Sequence, residues 1–488
     1  MLPEDMHIDS DKMHEECGIV GIWAPHIPDI AKLVYFGLFA LQHRGQESAG
    51  ISVTDGYMLN TYKNMGLVTQ IFDEYTLKDL VGIGSVGHVR YSTTGESKLA
   101  NAQPISKPSK IGHIAIAHNG NLTNTVALRE RLSNLGYTFE STADSELSIT
   151  LIAHKLEEDM NLIDAVSEAL SECEGAFSVA VLTNQGLIVA RDPHGFRPLV
   201  LGQMASDYVV ASETCAFDII GARFVREIKP GELIYINEDG IDSYFYATDK
   251  REALCAFEFI YFARPDSVIN NKSLYLIRQH LGRLLAKAAP ADADLVISVP
   301  DSGTPAAIGY SQESGIPFAE GLVKNRYIGR TFIAPSQAMR EVGIKMKLNP
   351  LKEVINGKRL VVVDDSIVRG STSKKIATLL YQNGAKEVHF RISSPPIGYP
   401  CFFGIDISEQ KTLVAANHQS LEAIAKAVGS DSVGYLTRED LTTAINLPKS
   451  KLCMACLDGD YPAPLSRDIV ENILNIPSFC ASLEEELT

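Results

Sequence analysis

Arg359-Leu-Val-Val-Val-Asp-Asp-Ser-Ile-Val-Arg-Gly-Ser-Thr372 decides the reading of the C-terminal half. Residues 360–363 form an unbroken apolar run of the kind found in strands buried on both faces, two carboxylates close it, and a Ser/Thr/Gly loop opens a helix from Ser371. An apolar run at 295–299 and a helical pattern over 272–288 continue the same alternation. Buried strands followed by helices predict a doubly wound parallel sheet, and ligands bind outside the carboxyl ends of such strands. The loop has no G-x-x-x-x-G-K, and Gly370 stands alone, so it is neither a Walker loop nor a dinucleotide fingerprint.

At 488 residues the chain exceeds a single hydrophobic core, and two domains fit it comfortably. Hydrophobic residues make up 45% and charged residues 21%, the balance of an ordinary globular protein. A formal net charge of −16 argues against nucleic acid and membrane partners, so any anionic substrate must be held by local charge. The first 16 residues carry Glu4, Asp5, Asp9, Asp11, Glu15 and Glu16, unlike a signal or transit peptide. Eight cysteines in a chain of this length point to catalytic or metal-binding thiols in a reducing compartment, and a cytoplasmic location is expected.

The N-terminal half has a different rhythm. A strand-like Cys17-Gly-Ile-Val-Gly-Ile-Trp23 precedes a helix with Ile30, Leu33, Val34, Leu38 and Leu41 on its apolar face. Strands at 114–117, 176–182 and 186–190, with amphipathic helices at 144–157 and 161–173, suggest helices stacked on sheets. The polar stretch 237–250, with Gly240 as a turn point, is the expected boundary. The division is a leader 1–16, domains 17–245 and 255–450, and a C-terminal segment 451–488.

Cys17 alone reads equally well as a buried thiol or a nucleophile. It stands, however, in a chain that also holds Gln42-His-Arg-Gly-Gln-Glu-Ser48, Arg90-Tyr-Ser-Thr-Thr-Gly95, His118-Asn-Gly-Asn-Leu122 and Ala143-Asp-Ser-Glu146. In that order these resemble the glutaminase domain of class II amidotransferases, N-terminal-nucleophile (Ntn) hydrolases of αββα architecture. The resemblance implies that Cys17 attacks glutamine with its own α-amine as base, which requires the leader to be cut after Glu16 as a propeptide. It assigns the oxyanion donors to Asn119 and the Gly120 amide, the substrate carboxylate to Arg90 and its ammonium to Asp144. Taken singly, Asn119 reads as a turn residue and Asp144 as a helix N-cap.

The 359–372 stretch is similar to the phosphoribosyl pyrophosphate signature of type I phosphoribosyltransferases. That implies a 5′-phosphate cradled by Ser366, Arg369, Gly370, Ser371 and Thr372, with Asp364 and Asp365 facing the ribose hydroxyls and Mg²⁺. Asp301, Ser302 and Gly303, in Val299-Pro-Asp-Ser-Gly303, are the expected contacts near pyrophosphate, with Ser302 also toward the metal. Lys324, Arg326, Arg330, Arg340, Lys345 and Lys347 face one acid, Glu341, and are expected to form a basic lid.

Together the two halves resemble the glutamine-dependent amidophosphoribosyltransferases, specifically the kind that carries a leader and a C-terminal C-x-x-C. The resemblance implies that Cys453, Cys456, Cys255 and Cys401 hold a structural [4Fe-4S] cluster, although spacing alone does not separate it from zinc. It also implies a homotetramer, purine nucleotides as feedback inhibitors, and Tyr261 as a relay between sites. Cys173, Cys215 and Cys480 read as core or surface thiols. Hexosamine-6-phosphate synthases share the glutaminase half but do not need the Asp364-Asp365 loop. A purine-sensing repressor would need a basic helix-turn-helix, and none is visible.

Overall fold

A computed structural model describes residues 17–91, 97–248, 250–325, 348–407, 409–418 and 420–465. The leader, Ser92–Gly95 of the Arg90 motif, the basic residues 326–347 and Cys480 lie outside the described residues.

The N-terminal body consists of two antiparallel sheets stacked face to face. The first runs Arg223–Glu227, Val200–Met204, Asp207–Ala211, Gly18–Trp23, Gly84–Arg90, Ser48–Thr54, Leu59–Met65. The second runs Gly240–Phe245, Glu232–Asn237, Gly186–Arg191, Gly175–Thr183, Gly112–Leu122, Ile105–Ser109. Ile19, Trp23 and Val86 of the first meet Ala117, Ala180 and Leu187 of the second in a shared core. Helix Ile30–Ala40 covers the outer face of the first sheet through Val34 and Leu38. Helices Asp144–Glu157 and Leu162–Ser171 cover the second through Leu147, Leu151, Val166 and Leu170. Each such Leu or Val contributes about 1.5–3 kcal/mol by leaving water. The result is the expected helix–sheet–sheet–helix architecture. Because the central strands are covered on both faces, Gly175–Thr183 is buried along its whole length and reads as an apolar run interrupted by Ser178 rather than an alternation.

Gly240, with φ 126°, turns the hairpin Glu232–Asn237/Gly240–Phe245, so the second sheet runs through Phe245 and the polar stretch includes its edge strand.

In the C-terminal body Leu295–Ser298, Arg359–Asp364, Glu387–Ile392 and Ser432–Tyr435 form a parallel sheet in that order. Val361 and Val363 pack with Leu281 and Tyr310 on one face; Leu360 and Val362 pack with Ile376 and Leu380 on the other. Successive strand residues point to opposite faces, so this division is what a doubly wound sheet requires. Helices Leu274–Ala288 and Thr304–Ser314 pack backbone to backbone: a Cβ on Gly282 would lie 1.9 Å from the Ala306 carbonyl oxygen. Arg359 anchors the start of its strand on Asp294 (2.9 Å) and Asp292 (2.6 Å), so its charge serves the sheet end remote from Asp364. Leu254–Cys255 and Leu452–Cys453 form a short parallel ladder with Cys255 opposite Cys453.

Candidate active sites

Cys17 stands at the head of strand Gly18–Trp23, whose neighbour Gly84–Arg90 ends beside it with Gly18 paired to Val89. Its thiol donates to the Tyr91 carbonyl at 3.6 Å. Burial pushes the thiol up to about 11, against the smaller opposing effects of the Tyr91 contact and the Arg90 charge. A thiol so placed is protonated at neutrality and needs a neighbouring base before it attacks. Arg90 is buried and paired with Glu47.

Asn119 and Gly120 lie on Gly112–Leu122, paired with Ser178 and Phe177 of the next strand. Both polar atoms of the Asn119 side chain are buried without a hydrogen-bond partner. In a folded protein such a pair is rare and calls for an explanation, a catalytic role being one. Gly120 adopts φ 145°, and a Cβ there would lie 2.0 Å from the Ala176 carbonyl oxygen, so only glycine fits.

Asp144 opens helix Asp144–Glu157, with Ala143 in the cap position, so it is not the N-cap. Its carboxylate accepts from the Leu122 amide (3.0 Å) and the Ser145 amide (2.8 Å), and lies 3.2 Å from His118 Nδ1. Burial pushes its carboxyl up, but His118 and these amides outweigh burial and hold it below the usual range. His118 had no role in the sequence reading; its place beside Asn119 was the available signal.

At the sheet of the C-terminal body, Asp364 and Asp365 are buried at the carboxyl end of the central strand. The Asp365 amide donates to Asp364 Oδ1 at 3.0 Å, and the Ser366 hydroxyl donates to Asp365 Oδ1 at 2.6 Å. Gly370, φ 84°, is the N-cap of Ser371–Gln382 and aims its first-turn amides outward. Gly303 caps Thr304–Ser314 beside this strand; a Cβ on it would meet the Val363 carbonyl oxygen at 2.5 Å. Asp301 is exposed and pairs with Lys324 Nζ at 3.3 Å. The Asp301–Gly303 loop and the Asp364–Thr372 loop therefore lie side by side at adjacent strand ends.

Cys255, Cys453 and Cys456 are buried and Cys401 is half-buried. Burial, and then the proximity of Cys255 and Cys401, pushes the Cys453 thiol well up; Cys456 is raised in the same way by burial, Cys401, Cys255 and Cys453. Among the described residues, no group of three or more ligand side chains is drawn tightly enough to hold an ion. Cys173 and Cys215 are core thiols.

The two bodies touch beside strand Gly112–Leu122. Asn121 Nδ2 donates to the Phe402 carbonyl at 2.9 Å, Phe403 stacks on Phe196 with ring centroids 4.4 Å apart, and a Cβ on Gly404 would lie 3.4 Å from Gly120 C.

A glutamine amidotransferase domain is matched over residues 88–218. The amidophosphoribosyltransferase of Synechocystis sp. is 52% identical over 474 residues, 95% of each chain. This chain belongs to the amidophosphoribosyltransferase family. The family catalyses the first step of purine biosynthesis, and the chain is an enzyme of that activity. The Mycobacterium tuberculosis amidophosphoribosyltransferase is 47% identical, covering 98% of this chain and 93% of that one. A glutamine phosphoribosylpyrophosphate amidotransferase structure from B. subtilis, complexed with ADP and GMP, superposes with TM-score 0.88 at 44% identity, over 94% of this chain and 100% of that one. Among the described residues, no helix is long and apolar enough to cross a membrane.

Proposed function

We propose that residues 17–245 free ammonia from glutamine and residues 255–450 transfer it to phosphoribosyl pyrophosphate. The overall reaction is glutamine, phosphoribosyl pyrophosphate and water to 5-phosphoribosylamine, pyrophosphate and glutamate. The observation that carries this reading is the buried, unpartnered Asn119 amide beside Gly120, on the strand that also holds the Phe402 carbonyl of the second body.

Removal of residues 1–16 frees the Cys17 α-amine, which takes the thiol proton as sulfur attacks the side-chain amide carbon. Asn119 Nδ2 and the Gly120 N–H receive the oxyanion, ammonia leaves, and water hydrolyses the thioester to glutamate. Arg90 holds the substrate carboxylate and Asp144 its ammonium. Ammonia passes between the two sites without meeting bulk water. In the second body Ser366, Arg369, Gly370, Ser371 and Thr372 bind the 5′-phosphate, Asp364 and Asp365 orient the ribose hydroxyls, and Asp301, Ser302 and Gly303 flank the pyrophosphate. Asp364, Asp365 and Ser302 would hold Mg²⁺, whose charge would offset that of the pyrophosphate; carboxylate and hydroxyl oxygens suit such a hard cation.

Cys255, Cys401, Cys453 and Cys456 would suit a [4Fe-4S] cluster with a structural role: Cys255 lies opposite Cys453, and Cys401 packs against the hydrophobic clusters that hold Cys255, Cys453 and Cys456. A cytoplasmic homotetramer is part of the same proposal, and the ADP and GMP bound to the B. subtilis relative support feedback by purine nucleotides. In Cys17→Ser, glutamine-dependent synthesis is lost and ammonia-dependent synthesis stays. Equal loss of both in a folded variant refutes the two-site reading.

A further inference from the structure

A buried ion cluster joins the two bodies directly behind Cys17. Arg44, on the loop after helix Ile30–Ala40, is 1% exposed, and its Nε donates to the Cys17 carbonyl at 3.2 Å. The rest of its guanidinium is shared between two carboxylates. Nη1 reaches Glu213 of the glutaminase body at 2.6 Å; Nη2 and Nη1 reach Glu258 of the second body at 2.7 and 3.1 Å. Glu213 is 1% exposed and Glu258 is fully buried. Arg44 cannot slide away from this position: a Cβ on Gly45 would lie 2.6–2.7 Å from the backbone of Val89 and Arg90, so the loop is pressed against the strand end that flanks the nucleophile.

Glu258 is also the first residue of a single π-helical turn, Glu258–Phe262. Arg278, from helix Leu274–Ala288, grips that turn by donating to the carbonyls of Phe259 (2.9 Å), Ala263 (2.6 Å) and Glu258 (3.4 Å). Phe259, Ile260 and Phe262 of the turn share one buried core with Val363 and Val368, which flank Asp364 and Asp365. On the other side Glu213 binds the chain just past the turn, accepting from the Arg264 amide at 2.8 Å and the Ser267 hydroxyl at 2.7 Å. π-Turns within helices are found frequently at functional sites, and one gripped at its carbonyls by one charge and at its first side chain by another has defined handles at both ends.

We infer that Arg44, Glu258 and Glu213 are positioning residues that make the backbone position of the Cys17 nucleophile depend on how the Glu258–Phe262 turn is seated. The inference rests on the assignment of Cys17 as the glutaminase nucleophile. A shift of the turn moves the Glu258 carboxylate. Arg44, desolvated and bidentate to it, follows because an unpaired buried charge is far costlier than a moved one. The Cys17 carbonyl then loses or regains its donor. A rearrangement of the Asp364–Asp365 loop, such as arrival of an anionic substrate brings, reaches the same turn through the core that Val363 and Val368 share with Phe259, Ile260 and Phe262. The glutaminase is thereby geared to occupancy of the second site.

The test uses the full-length enzyme with Glu258→Gln, which keeps shape and removes charge, and Arg44→Lys, which keeps charge and removes the fork. Each variant and the double variant are assayed for ammonia-dependent synthesis, glutamine-dependent synthesis, and glutamine hydrolysis with and without phosphoribosyl pyrophosphate, alongside Tm. The expected result is ammonia-dependent synthesis within about 2-fold of wild type, glutamine-dependent kcat/KM down by about 10-fold or more, loss of the stimulation by phosphoribosyl pyrophosphate, and a double variant no worse than the worse single one. Unchanged stimulation in folded single variants overturns the inference, as does equal loss of both syntheses; failure of both single variants to fold shows a purely structural cluster and overturns it too. Cys17→Ser serves as the control: if it keeps glutamine-dependent synthesis, the nucleophile assignment itself has failed, a result distinct from any of these.

Discussion

Asn119 offers the sharpest separation of function from stability. Truncating a buried, hydrogen-bonded amide ordinarily costs stability, because its partners are left unpaired. Here Nδ2 and Oδ1 have no partner, and the resting fold carries the cost of an unsatisfied buried amide, about 1–3 kcal/mol. Asn119→Ala removes that cost and leaves a small void worth about 1 kcal/mol. The two nearly cancel, so stability stays within about 1–2 kcal/mol of wild type, a Tm change of about 2–8 °C at most, or the variant is slightly more stable. Catalysis answers differently. Loss of one oxyanion donor lowers the glutamine-dependent rate by about 10²–10³, or about 2.7–4 kcal/mol of transition-state stabilisation. Ammonia-dependent synthesis, which bypasses the oxyanion, holds within about 2-fold. The assay follows glutamate and pyrophosphate release with glutamine or ammonium as nitrogen donor, together with a thermal melt. Gly120→Ala is the contrast, since its Cβ would strike the Ala176 carbonyl and destabilise the sheet as well as the site. A cooperative melt displaced far downward in Asn119→Ala, or equal loss of rate with both nitrogen donors, refutes the reasoning.

Asp364→Asn/Asp365→Asn abolishes synthesis from both nitrogen sources and spares basal glutamine hydrolysis, because an amide pair neither holds a hard cation nor orients ribose hydroxyls as carboxylates do; retained ammonia-dependent synthesis relocates the phosphoribosyl site. Purified anaerobically, the protein shows an iron–sulfur absorption band that Cys456→Ser removes with much of the stability; a colourless preparation with stoichiometric zinc excludes the cluster. Glu213 gives a pH signature. Burial alone would raise its carboxyl, but His43, Arg44 and the Ser267 hydroxyl hold it well below its ordinary 4.5. The stabilisation is therefore full above about pH 4.5, the unfolded value, and is lost as pH falls through the lower folded value. The Tm difference between wild type and Glu213→Gln, large at pH 7 where a broken buried pair costs about 3–5 kcal/mol, narrows below pH 4.5. A difference that stays constant down to pH 3 contradicts the ion pairing.

Local pattern carried most of the fold. The helix read at 144–157 is Asp144–Glu157, the strand at 360–363 sits inside Arg359–Asp364, and the helix expected from Ser371 begins there. These succeed because each element is buried in a way that writes its period, or its unbroken apolar run, directly into the sequence. The candidate site at 364–372 was legible for a related reason: strand, carboxylates, Ser/Thr/Gly loop and helix start are contiguous in the chain.

By itself, then, the sequence determined the two architectures, the order of their elements and the polar motifs within each. Only the tertiary structure decided which distant groups meet. Gly240–Phe245, polar by composition, is an edge strand because its partner Glu232–Asn237 supplies the hydrogen bonds, which propensity does not encode. Arg44, Glu213 and Glu258 stand in three separate segments, and the one local hint was a single acid within the apolar run Ala256–Phe262. Pairing of buried charges is a property of the space between elements: the desolvation cost that forces Arg44 onto both carboxylates, and so onto the Cys17 carbonyl, arises only when the two bodies close over it.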